Sequence, residues 1–194
     1  MYEFMLKISR FMAVLGGLML VALIFLTCAS IIGRSLNGMF HSDFFQANLA
    51  GLSQWGLDIG IGPINGDYEL IEAGVAFAIF AFMPLCQITG GHATVDVFTS
   101  GFSLRANRIL RVITDAVFAA VFVLIAVQLY GGMLSKLRTG QTTFLIEFPV
   151  WWAYAPSLVG AVIAAAIAVY LAGMRLMESL TGRDLLPADL GADH

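Results

Sequence analysis

Few residues in this chain have types and spacings that could do chemistry. His92 and Asp96, in Gly90-Gly91-His92-Ala93-Thr94-Val95-Asp96, stand four apart, a spacing that can place two metal ligands together. A metal ion needs a third and a fourth ligand. The other histidines, His41 and His194, are remote in the sequence, so no metal site is expected, and the same scarcity argues against a bis-histidine haem. Cys28 and Cys86 lie inside apolar runs without a CxxC partner, and both read as small buried hydrophobes. There is no G-x-S-x-G, no Walker loop and no dinucleotide glycine run. No catalytic and no cofactor-binding residue is expected, and the chain does not read as an enzyme.

The remaining candidates are charges beside apolar runs. Glu69 and Glu72 are one helical turn apart on one face, where they could cap a helix, pair with Arg34, meet a partner subunit, or couple ions in a self-sufficient transporter. Arg108, Arg111 and Asp115 recur at steps of three and four behind Ser103, a good N-cap, which predicts a structural Arg–Asp cluster at one membrane surface. Gln128, in the middle of an apolar run, reads as interhelical glue.

Composition says what must position these residues. Of 194 residues 59% are apolar and only 12% charged, against roughly 25% charged in soluble proteins. Mean hydropathy is +0.87. Such a chain cannot cover itself with polar surface, so it is expected in a membrane. The net charge of −3, without a Lys/Arg block, leaves no nucleic-acid footprint.

A span needs about 20 mostly apolar residues to cross a hydrocarbon core about 30 Å thick. Four segments qualify: about 11–32, 70–88, 112–134 and 149–177. The first is too long for a signal peptide and lacks a following A-x-A site. The expected fold is an all-α, integral membrane four-helix bundle, one domain over 1–180 with a polar tail at 181–194. Seven of the ten Lys and Arg residues (Lys7, Arg10, Arg105, Arg108, Arg111, Arg175 and Arg183) fall on the side that holds both termini, which places the N- and C-termini in the cytoplasm. The outer connection, 35–68, carries no Lys or Arg. Within it Phe45, Leu49, Leu52 and Trp55 recur at helical steps and predict a short helix on the membrane surface.

Packing residues complete the picture of a compact bundle with flat faces. Gly160, Ala164, Ala168 and Ala172 repeat every four residues and form a small-residue seam for close helix approach, with Ala116 and Ala120 as a shorter version on the third span. Trp151, Trp152 and Tyr154 read as an outer aromatic belt. Pro149 opens the fourth helix, Pro156 bends its first turns, and Pro84 kinks the second.

Gly90-Gly91-His92-x-x-Val95-Asp96, then Arg105 and Arg108, then Pro149-x-Trp151-x-x-Tyr154 and Gly160, together resemble the small permease subunit, DctQ-like, of tripartite ATP-independent periplasmic (TRAP) transporters. The resemblance covers most of 69–177. It implies a four-span accessory subunit of the bacterial or archaeal cytoplasmic (inner) membrane. Its partners would be a large permease subunit of the elevator type, which carries substrate and sodium, and a periplasmic substrate-binding protein. The complex would be a sodium-coupled secondary importer of an organic acid anion. This chain would be a static scaffold without a cofactor or substrate site. On that reading Arg105, Arg108, His92 and Asp96 anchor the inner face, Arg34, Glu69 and Glu72 the outer one, and Trp151 and Trp152 set depth. The outer connection 35–68 is longer than the family pattern. The competing expectation is an autonomous four-span transporter coupled through Glu72.

Overall fold

A computed structural model describes residues 1–91 and 104–181, the side chains of Leu104 and Arg105 apart. Six helices follow one another: α1 (Tyr2–Phe40), α2 (Asp43–Asn48), α3 (Ala50–Asp58), α4 (Asp67–Ile88), α5 (Leu104–Thr139) and α6 (Trp151–Thr181). Helices α1, α4, α5 and α6 are long and apolar enough to cross a membrane. The tail from 182 onward lies outside the described residues.

The spanning helices outrun the apolar segments read from the sequence, because hydrocarbon length does not stop a helix; only capping or breaking residues do. α1 has 39 residues, about 58 Å, and consumes the start of the connection expected at 35–68. It ends where the His41 amide turns back to the Asn37 carbonyl and Ser42 Oγ donates to the Met39 carbonyl. α5 ends at Gly140, whose φ of +62° is the left-handed conformation that glycine adopts without the steric cost of a β-carbon.

The predicted surface helix is corrected to two short ones. The chain breaks at Leu49 (φ −136°, ψ 41°), beside an Asn48 side chain that donates to its own Phe44 carbonyl. α3 is fixed to the end of α1, where Ser53 Oγ donates to the Phe40 carbonyl at 2.6 Å and Gly56 lies under the Phe40 ring.

The four spans pack as an open row, in the order α1, α4, α6, α5, rather than as a closed, compact bundle. Among the described residues the backbone of α5 comes close to α6 alone, and from α4 Met83 reaches the cluster that α5 and α6 share. In the most apolar stretch only 11% of α1 and 6% of α5 is buried, against 33% of α4 and 44% of α6. Small residues let the helices of the row approach closely, and larger side chains fill between them. Gly16 of α1 meets Ala78 and Ala81 of α4, and Gly74 of α4 receives Leu23 of α1. Ile167 and Leu171 of α6 join Leu6 of α1 and Ile88 of α4 in one core cluster.

The α4–α6 contact has a specific cause. Pro84 lies inside α4 and has no N–H to give the Phe80 carbonyl. Gly160 of α6 packs against that carbonyl so closely that a β-carbon there would lie 2.5 Å from the oxygen. The seam is therefore spent inside the chain. Gly160 is buried, Ala164 and Ala168 have no exposed surface, and the latter two pack on Ala119 and Phe122 of α5. Ala116 and Ala120 are exposed, so the matching face of α5 is set by Ala119. Cys28 is likewise exposed rather than buried, while Cys86 is half-buried.

Candidate functional site

The polar residues gather at the two ends of the row. One end carries α2, α3 and the turn between α5 and α6, here the loop end; the other, the terminal end, carries Tyr2 and Thr181. Along α5 the charges Asp115 and Lys136 are separated by about 31 Å of helix, and along α1 Arg10 and Arg34 by about 36 Å, which matches a hydrocarbon core with its boundaries.

At the loop end, Asp67 is the hub. It is 7% exposed and opens α4 behind Gly66, which takes φ +79°. Its Oδ2 accepts from Ser30 Oγ at 2.5 Å and lies 3.8 Å from the Arg34 guanidinium, while Oδ1 accepts from the Tyr68 amide at 2.8 Å. Arg34 thus pairs with Asp67, not with Glu69 or Glu72 as the sequence suggested. Glu69 has a different task. Its carboxylate accepts the backbone amides of Phe144, Leu145 and Ile146 at 2.8, 2.8 and 3.1 Å. Glu72 is exposed one turn further in, on an outward stripe with Tyr68, Val75, Ile79 and Phe82.

At the terminal end, Arg175 of α6 bridges Asp115 of α5 at 3.6 Å and Glu178 at 3.4 Å, with Glu178 6% exposed. Asp115, expected to pair along its own helix, also reaches across to Arg175 of α6; Arg108 and Arg111 are exposed. His92 and Asp96 lie outside the described residues, as does the side chain of Arg105. Among the described residues no three His, Cys, Asp or Glu side chains stand close enough to hold a metal ion.

Trp151 is half-buried and Trp152 is 52% exposed, its ring edge-to-face with Phe148 at 5.6 Å. Between α5 and α6, Gln128 lines an open groove of about 420 Å³ with Leu124, Ile125, Leu129, Gly132 and Tyr154. Gln128 is exposed there, facing outward instead of bonding to a neighbouring helix.

Sequence reasoning missed Asp67, Ser30, Arg175 and Glu178 as structural partners. The Gly66-Asp67 pair at a helix start was a usable signal for Asp67. Arg175 and Glu178, three apart on one helix, were also legible as a pair; the bonds of Ser30 to Asp67 and of Arg175 to Asp115 carry no local signal, because they join different helices.

Four helices long and apolar enough to span, with their polar pairs at the ends, define a multi-pass membrane protein. A family model for tripartite ATP-independent periplasmic transporters, DctQ component, matches residues 59–177, and the chain belongs to that family. No curated protein and no solved structure gives a significant match.

Proposed function

We propose that the chain is the stationary small subunit of a sodium-coupled importer of organic acid anions, fixed beside a large elevator-type permease and served by a periplasmic substrate-binding protein. It sits in the inner membrane of a bacterium or archaeon, with the loop end toward the periplasm and both termini in the cytoplasm. Sodium and substrate are handled by the large subunit.

The observation that carries this reading is the open row. Apolar faces of α1 and α5 are left uncovered, and Gln128 presents an amide near mid-span on one of them. An amide facing hydrocarbon is unfavourable, whereas a neighbouring membrane helix can bond to it. Between the boundary charges each span lacks an Asp, Glu, Lys or Arg that could coordinate an ion at mid-membrane.

Copurification from native membranes in mild detergent tests the reading: a much larger multi-span polypeptide should emerge with this chain. In vesicles the chain alone should be inert under a sodium gradient. Uptake by the lone chain, lost in Glu72→Gln, would instead identify an autonomous transporter.

A further inference from the structure

The turn between α5 and α6 is more tightly built than a connection requires. Thr142 pairs with Pro149 across it, the Thr143 amide donates to the Phe148 carbonyl at 2.9 Å, and the Val150 amide donates to the Gln141 carbonyl at 3.0 Å. The Phe148 amide adds a bond to Thr143 Oγ1 at 3.0 Å. Glu147, at φ +51°, reverses the chain. Glu69 of α4 then holds the tip through three successive backbone amides, and Ile146 rests on Gly66. Yet the side chains so fixed are apolar and point away: Phe144 is 92% exposed and Leu145 58%.

The attachment points set the depth of this tip. Its base leaves the ends of α5 and α6, and its apex is bound to the first turn of α4. The turn therefore lies across the helix ends, at the height of the first turn of α4. Its neighbours are those of a bilayer surface. Trp151 and Trp152 follow it directly. Lys136, which donates to Gln141 Oε1 at 2.7 Å, and the exposed Arg138 precede it. Glu69 is held by neutral backbone donors and keeps its negative charge, so Lys136 and Arg138 are matched here by Glu69 and Glu147.

We propose that this turn is a lipid-interface anchor. Phe144 and Leu145 enter the boundary between headgroups and acyl chains of the leaflet at the loop end, and Lys136 and Arg138 face lipid phosphates. An apolar tip beside interfacial cations and continuous with an aromatic belt suits the boundary between headgroups and acyl chains. The anchor requires only that the four helices span a bilayer, so it stands or falls separately from the proposed partner subunits.

The test uses the full chain with Phe144→Cys carrying an environment-sensitive fluorophore, in vesicles of phosphatidylglycerol and phosphatidylcholine. The expected result is strong quenching by a spin label shallow in the acyl chains, weak quenching by aqueous iodide, and red-shifted emission when Glu69→Ala releases the tip. Lys136→Gln with Arg138→Gln should weaken the shallow quenching. Strong iodide quenching of the otherwise unaltered chain would overturn the anchor, placing the tip in water. Loss of lipid quenching when a copurifying partner is reconstituted with the chain would overturn it in favour of a protein contact. The label sits on an almost fully exposed side chain, so both arms remain readable if Glu69→Ala fails to fold.

Discussion

Asp67 holds three donors with one carboxylate, and that economy decides what its loss costs. Asp67→Ala leaves the buried Ser30 hydroxyl without its acceptor, a penalty of about 1–3 kcal/mol. Arg34→Ala removes a side chain that is 55% exposed, and should cost about 1 kcal/mol or less. Thermal unfolding in detergent should therefore rank Asp67→Ala well below Arg34→Ala, and the reverse order would show that the ion pair, not the hydroxyl bond, joins α1 to α4. At the opposite end, Arg175→Leu removes the ion pairs to the buried Glu178 and to Asp115. It should destabilise the protein more than Arg108→Leu, since Arg108 is exposed.

Helices in this protein meet through glycine and proline at chosen points. The Phe80 carbonyl, released by Pro84, is the seat for Gly160, so Gly160→Leu must push α6 away from α4. Overpacking of this kind costs about 1–3 kcal/mol. Gly17→Ala is the control, because nothing lies within 4 Å of its would-be β-carbon. A lowered melting temperature in the first variant and an unchanged one in the second is the expected pair of results. Gly33 faces the Gly62 carbonyl so closely that alanine would overlap it. Gly33→Ala should loosen the segment between α3 and α4, measured as faster proteolysis there, with the four spans intact.

The whole molecule is a row with two thinly covered flanks, and its two cysteines report on one of them. Cys28 is exposed on α1 and Cys86 half-buried on α4. A membrane-permeant maleimide should label Cys28 faster than Cys86 in the isolated chain, and the difference should shrink if a partner covers α1. On the other flank, Gln128→Leu removes an amide from an apolar groove. The lone chain should keep or gain thermal stability, while recovery of a bound partner falls, by about 1 kcal/mol of helix–helix bonding. A parallel fall in both would make Gln128 a residue of the chain's own packing.

Much of this architecture could be read without coordinates. Four apolar runs of sufficient length fix the class, because a backbone in hydrocarbon must bond within its own helix whatever its neighbours are. The small-residue repeat at Gly160, Ala164 and Ala168 likewise announced a close contact. The sequence could not name the surface on the other side, and α4 and α5 of the same chain fill it. Nor could it say that Arg34 takes Asp67 while Glu69 takes three backbone amides, or that Asp115 reaches Arg175. Apolar periodicity is local and survives in one dimension, but the partner of a charge depends on which helices are adjacent and at what height. In a row with so few charges, that choice belongs to packing alone.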